Sequence, residues 1–340
     1  MILDMDGEVR ESFILKHSWQ ENTMLEQDTF TRRMTAERSD RKMIAMHDPL
    51  DEPAKRKIEE YTQALAATQG MGDRREEGLQ LVNLGLTHLI HLGQPESAID
   101  YYEQALDIFH EIQDRGMEAK TLGYLGQAYT VLRQPRRAVK NKLQAITMYH
   151  TIDDRSGVIE QFNSLGLMYG TFGFRERAIK YYKQALALAR AMGCEQTEAA
   201  LLTNIGITYA EMRQEKAAFD HLEQARSLFH EIGNRKDEAD TLRSIGTFHM
   251  LRGRMEFCIQ TYEEALAISR EIACYESEAD LLKSLGMAYQ NQKVYEKAAE
   301  YCQAALEVYG KMGSAKGRKL RVRLEACQRL ANRKWWHFWS

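Results

Sequence analysis

Residues 155–192 read RSGVIEQFNSLGLMYGTFGFRERAIKYYKQALALARAM, and nearly everything between residues 53 and 313 is a copy of this stretch. Within it Phe162, Leu165, Tyr169 and Phe172 recur every three or four residues, the period of a helix that buries one face. Gly173 interrupts that pattern. A second periodic run follows through Ala178, Ile179, Tyr182, Ala185, Leu186 and Leu188, so the stretch predicts two helices joined by a short turn, a hairpin of helix A and helix B. Gly166, Ala178 and Ala185 are small residues on the apolar faces. They predict close approach of neighbouring helix axes, because side chains interdigitate at crystal-like density only where something small makes room.

Sliding the stretch by 40 residues brings up the glycine again as Gly126, Gly166, Gly206, Gly246 and Gly286, with Gly85 one residue out of step. The aromatic three residues later is Tyr129, Tyr169, Tyr209 and Tyr289, replaced by His88 and His249 in two copies. Near the middle of helix B stand Ala105, Ala145, Ala185, Ala225, Ala265 and Ala305. A fixed period of this size means one supersecondary unit stacked on itself. On Phe162, Leu165, Gly166, Tyr169, Ala178, Tyr182 and Ala185 the unit resembles the tetratricopeptide repeat. That resemblance implies an all-α, right-handed superhelical solenoid of antiparallel helix hairpins, with the A helices along a concave groove that holds a partner's peptide or helix. The usual repeat is shorter, and the family's closing proline is replaced by His110, His150, Arg190, His230, Arg270 and Gly310. The longer spacing is similar to that of Pins-type adaptors and of bacterial signalling arrays.

The expected organisation is an N-terminal segment over residues 1–52, repeats over 53–313, a basic capping helix over 314–334 and an aromatic tail over 335–340. In the first segment Ser12 to Met34 is expected to form one helix anchored by Trp19, and Met1–Arg10 and Ala36–Glu52 to be disordered. Ile58, Tyr61, Ala64 and Leu65 match a helix B, a degenerate half-repeat ahead of six full hairpins at roughly 74–112, 115–152, 155–192, 195–232, 235–272 and 275–312. Pro53, Pro95 and Pro135 suit helix starts. Leu320, Leu324, Cys327, Leu330 and Ala331 form an apolar stripe among basic residues.

The net charge of −3 and pI near 6.4 give no global case for nucleic acid. Residues 315–340 nevertheless hold eight Lys or Arg against the single acid Glu325. Five cysteines without a CxxC pair read as small core fillers in a reducing compartment. No apolar run spans a bilayer and the acidic start is unlike a signal peptide, so the expected location is cytoplasmic.

An enzyme needs convergent titratable groups. His88 and His91 form HxxH, yet a metal requires a further ligand and His88 stands where sister copies place a packing Tyr. His110, His150 and His230 sit near the ends of B helices, where a cation complements the helix dipole. No phosphate-binding glycine loop, nucleophile elbow or CxxC motif is present. The reading is therefore no enzyme, no cofactor and no metal.

Counting from the glycines, the groove-facing residues are Asn83, Tyr124, Gln127, Asn163, Thr203, Asn204, Arg243, Thr247, Lys283 and Met287, together with Gly123, Leu167 and Ile207. The three asparagines are poor helix formers whose amides suit a peptide backbone. Arg243 and Lys283 form a positive pair that invites an acidic group, although Asp240 and Asp280 precede them by three residues and can pair with them along the helix. Family members that clamp a C-terminal carboxylate use a Lys and Asn constellation of which only fragments appear here.

The leading expectation is a non-catalytic scaffold binding a protein or peptide partner, with no nucleic acid. The alternative is a regulatory array held to an anionic membrane surface, or to a neighbouring copy in self-association, by the tail residues Trp335, Trp336, Phe338 and Trp339. A peptide-responsive regulator or a phosphatase-regulating array needs an effector domain ahead of the repeats, and residues 1–52 show no clear one. The register itself is testable by thermal melts. Ala185→Arg forces a charge between stacked helices and is expected to cost at least about 3 kcal/mol. Lys183→Glu, two residues away on the exposed face, is expected to change stability by no more than roughly 0.5 kcal/mol; equal melting temperatures refute the register.

Overall fold

The computed structural model of the chain describes residues 52–314 and 317–336, and the side chains among them except those of residues 52, 53, 318, 319 and 333–336. The expectations for Met1–Arg10, Ser12–Met34, Trp19, residues 36–51, Phe338 and Trp339 lie outside the described residues. Two compact units divide the chain, Met1–Lys57 and Ile58–Ser340. Of the first, the described part is the start of helix α1 (Glu52–Met71).

The second unit is an array of helix pairs. The A helices are α2 (Arg74–Ile90), α4 (Arg115–Val131), α6 (Arg155–Thr171), α8 (Glu195–Glu211), α10 (Arg235–Leu251) and α12 (Tyr275–Asn291). The B helices are α3 (Pro95–Glu111), α5 (Pro135–Thr151), α7 (Arg175–Ala191), α9 (Glu215–Glu231), α11 (Met255–Glu271) and α13 (Tyr295–Lys311), followed by α14 (Gly317–Trp336). Each A helix packs most extensively on its own B helix, and each B helix on the next A helix. The result is an all-α solenoid of antiparallel hairpins.

Why the helices start and stop where they do is local chemistry. Asp73, Asp114, Asp154 and Asn234 each accept the backbone N–H three residues on, at 2.9–3.2 Å, satisfying one of the orphan donors of an A helix. Pro95 and Pro135 occupy first-turn positions of α3 and α5, where no N–H is needed. At the other end, Gly173 adopts φ +81° and Phe174 N–H returns to the Tyr169 carbonyl at 2.9 Å, the left-handed closure that stops α6. Four residues, His91 to Gln94, separate α2 from α3, where three separate the other A–B pairs. That extra residue is why the copies slip by one at Gly85.

The hairpin contact centres on one glycine. A Cβ on Gly85, Gly166 or Gly246 would run into the ring of Tyr102, Tyr182 or Tyr262, the eighth residue of the paired B helix. At the same place Gly126 faces Lys142, Gly206 faces Leu222 and Gly286 faces Cys302, with 2.6–2.8 Å left for a Cβ. The mid-helix alanines from Ala105 to Ala305 are all fully buried, as the spacing predicts. Cys258, Cys302 and Cys327 are buried and free, and burial pushes the thiols of Cys258 and Cys302 up to about 11; they act as small fillers.

At the ends, Leu65 of α1 packs against the core and Gln69 Nε2 donates to Glu77 at 3.1 Å. Helix α14 packs against α13 through Leu320, Leu324 and Cys327, all buried, with Leu330 and Ala331 half-buried. It runs on through Trp336, so Trp335 and Trp336 stand on its last turn rather than in a separate tail.

The glycine notch separates two chemically identical substitutions. Gly166→Ala drives a methyl group into the Tyr182 ring and is expected to cost about 1–3 kcal/mol. Gly170→Ala, one turn later and 4.0 Å from Ala178, relieves backbone entropy and is expected to gain up to about 1 kcal/mol. Chemical denaturation of both variants measures the difference; the same sign for both refutes the notch.

Candidate peptide-binding face

The A helices form one continuous face. Helices α2 and α4, α4 and α6, α8 and α10, and α10 and α12 touch directly. Helices α6 and α8 are linked by a hydrogen bond from Asn204 Nδ2 to Asn163 Oδ1 at 3.0 Å. The expected groove residues all lie on these helices, with unequal exposure. Gln127, Leu167 and Ile207 are exposed; Asn83, Tyr124, Asn163, Thr203, Asn204, Arg243, Thr247, Lys283 and Met287 are half-buried. Gly123 is buried, because the Gln161 side chain lies across it.

Several of these side chains already have partners. Thr203 and Thr241 share a hydroxyl contact at 3.3 Å, and Thr247 Oγ1 meets Tyr262 Oη at 2.9 Å. The positive pair is locally neutralised: Arg243 pairs with Asp240 at 3.4 Å, and Lys283 pairs with Asp280, which also accepts from Tyr309 Oη. The intrahelical pairing allowed by the three-residue spacing is the one that forms. Exposed apolar surface gathers one step along, where Leu167 is 50% and Ile207 38% exposed at equivalent positions of α6 and α8.

One group beneath this face escaped the reading of the sequence. Lys142 stands on α5 where other copies place Tyr102, Tyr182, Leu222, Tyr262 and Cys302, and it is 1% exposed. Its stem lies against Gly126, and Nζ donates to Ser164 Oγ of the next A helix at 2.5 Å. Burial lowers its pKa to about 8, opposed only by the charge of Glu160. The signal was available, since a lone cation in a column of packing residues stands out once the copies are aligned.

The terminal histidines have a second purpose beyond the helix dipole. His110 and His230 each contact a carboxylate of the next A helix, Glu118 and Glu238, at 3.2 and 3.1 Å. Arg190 and Arg270 do the same with Glu198 and Glu278 at 2.7 and 2.8 Å. His88 meets Gln94 at 2.9 Å and packs on Tyr101, a packing role like that of the tyrosines it replaces. Among the described residues no cluster of three His, Cys, Asp or Glu can hold a metal ion, and no helix is long and apolar enough to cross a membrane. Two open depressions of about 500 Å³ lie elsewhere, one between α7, α8 and α9 and one along α9, α10 and α11, and none of the expected groove residues lines either.

A helical hairpin with a glycine notch, stacked in one register, defines a class of repeat protein. Three tetratricopeptide-repeat family models match the chain, over residues 81–109, 158–192 and 237–311. The chain thus carries tetratricopeptide repeats over these residues. Among solved structures it is similar to aspartyl phosphate phosphatase F from Bacillus subtilis, at 16% identity and TM-score 0.53, covering 93% of this chain and 88% of that one. It is also similar to a signal-transduction ATPase with a tetratricopeptide-repeat sensor from Pyrococcus horikoshii, at 14% identity and TM-score 0.56, covering 82% of this chain and 43% of that one. A third similar structure is a Rap protein complexed with competence and sporulation factor, at 15% identity and TM-score 0.51, covering 84% and 89%. No curated protein sequence matches the chain.

The buried lysine has a pH signature. Its pKa is lower in the folded protein than the ordinary 10.5, so the unfolded chain binds the extra proton between those two values and stability rises with pH from about 8 to 10.5. Below pH 8 the full cost of burying the ammonium is present. Lys142→Met is therefore expected to be more stable than the natural chain at pH 7, by about 1–3 kcal/mol, with the gap narrowing as pH rises past 8. Urea denaturation across pH 6–10.5 measures it; a gap independent of pH refutes the assignment.

Proposed function

We propose that the chain is a non-catalytic scaffold that binds an extended segment of a partner protein along the A-helix face, centred on α6 and α8. One observation carries this reading: the Asn163–Asn204 amide pair lies on the same helices as the exposed Leu167 and Ile207. Two side-chain amides joined by one hydrogen bond leave the NH2 of one and the carbonyl oxygen of the other for an outside ligand. A donor next to an acceptor complements a single peptide unit, and two exposed aliphatic side chains supply the apolar contact that holds it. Small ligands favour enclosed pockets, whereas this face is open, as suits a chain segment.

The titratable groups of the array support a binding role rather than catalysis. Arg243 and Lys283 are engaged by their own aspartates, and the tyrosine hydroxyls of the B helices are held above their ordinary range by burial. The likeness to a Rap protein complexed with competence and sporulation factor is a likeness of fold, and it is consistent with this use of the face.

A pull-down from the native host tests the reading with three proteins that melt alike: the natural chain, Leu167→Glu with Ile207→Glu, and Lys183→Glu as a control on exposed helix-B surface. A partner held by the natural chain and the control but depleted about tenfold or more by the double variant supports the face; each charge removes apolar contact and adds desolvation cost. Equal capture by all three refutes it.

A further inference from the structure

Resting on the scaffold reading, we infer that Lys142 and Ser164 form a binding site for one carboxylate of the partner segment, at the junction of α5 and α6 beneath the A-helix face. The cation sits on a B helix, so the site differs from a pair of A-helix charges such as Arg243 and Lys283.

The ammonium of Lys142 has more donors than bonded acceptors. An ammonium carries three protons, and the hydrogen bond of Lys142 goes to a neutral hydroxyl, Ser164 Oγ. No carboxylate lies within ion-pair distance of Lys142 Nζ among the described residues, and the one charge that bears on it is the more distant Glu160. Lysine is almost never this buried without a paired charge. Arg243 and Lys283, on the same face, each have their aspartate; Lys142 is the contrast.

The ammonium's partner stands on the A-helix face. Ser164 is half-exposed and holds the same place on α6 as Tyr124 on α4 and Asn204 on α8, both face residues. Its Oγ accepts from the ammonium, and the hydroxyl can turn to another staggered rotamer. One turn earlier on α6 is Gln161, 3% exposed, whose Oε1 is buried without a hydrogen-bond partner. Its amide lies against Gly123, one turn from Gly126, which packs on the Lys142 stem. Flipped end for end, that amide places its NH2 rather than its oxygen at the buried position. One cation with neutral donors matches a single negative charge, so a carboxylate fits better than a doubly charged phosphate. The lowered pKa of Lys142 agrees, since a docked anion restores the charged form.

The test uses the full chain and three hexapeptide probes: acetyl-hexaglutamate amide, acetyl-hexaglutamine amide, and acetyl-hexaglutamine with a free C-terminus. The last two separate a terminal carboxylate from none, and the first reports side-chain carboxylates. Lys142 is followed by NMR of 13C-labelled lysine through a pH titration, and affinity by fluorescence anisotropy for the natural chain and Lys142→Tyr. That variant restores the residue of three sister copies above a glycine already in place, so folding is expected. The expected result is that a carboxylate probe raises the Lys142 pKa from about 8 toward the ordinary lysine value. Its affinity then falls about tenfold in Lys142→Tyr and, in the natural chain, falls as pH rises from 7 to 9.5. An unmoved Lys142 titration with both carboxylate probes, or equal affinity in the two proteins, overturns the site. Because Leu167 and Ile207 are unchanged in these proteins, failure here is distinguishable from failure of the partner capture that tests the face itself.

Discussion

The array depends on a single steric fact, that the eighth residue of each B helix fits only where its A helix has no Cβ. Three times that residue is a tyrosine whose ring occupies the space of the missing methyl group beside Gly85, Gly166 and Gly246. The close approach sets the crossing of the hairpin, brings the mid-helix alanines to zero exposure, and so leaves room for the next A helix. Helix caps and turns follow from local chemistry, but they define lengths, not packing. Without the notch, 17-residue helices of this composition have no reason to stack in one register.

The same notch decides how the face acquires polar character. A side chain entering beside the glycine passes between the helices of its hairpin, so its tip reaches residues of the A-helix face. Tyr262 Oη meets Thr247 there and the Tyr102 ring stacks on Tyr124. Lys142 uses the same path to bring an ammonium to Ser164. A position whose first duty is packing thereby becomes a way to place a charge under the face. Cations that start on the A helices fare differently, because an aspartate one turn earlier is within reach; Arg243 and Lys283 lose their apparent promise for that reason. Ion pairs along the B-to-A junctions, such as Arg190 with Glu198 and His230 with Glu238, are largely exposed at the basic end. They contribute little energy each but favour the correct neighbour.

Much of this is legible in the sequence alone. The repeat, the alternation of helices and the glycine and alanine positions all follow from periodicity, which is a local property of the chain. Six copies in one register averaged away the noise that blurs a single reading. The slip at Gly85 was visible too, although its cause, a fourth residue in the turn His91 to Gln94, needed the structure. Less legible were the partners of the face residues. Asn163 and Asn204 looked like two independent amides, and they are bonded to each other across repeats; Gly123 looked open, and Gln161 lies over it. Both depend on residues about 40 positions apart meeting at a distance that periodicity does not specify.

The sequence by itself determined the unit and its packing core, because a helix that must bury every third or fourth side chain announces its face in its own spacing. It also carried the tetratricopeptide-repeat pattern, since the small residues that permit stacking are few and recur in place. Only the tertiary structure decided which polar groups on the A helices are already engaged within the chain. That choice turns on hydrogen bonds and ion pairs between helices, and on one lysine whose burial is set by a glycine 16 residues earlier. The energy of a charge depends on what surrounds it in space, and that is information the order of residues carries only through the fold.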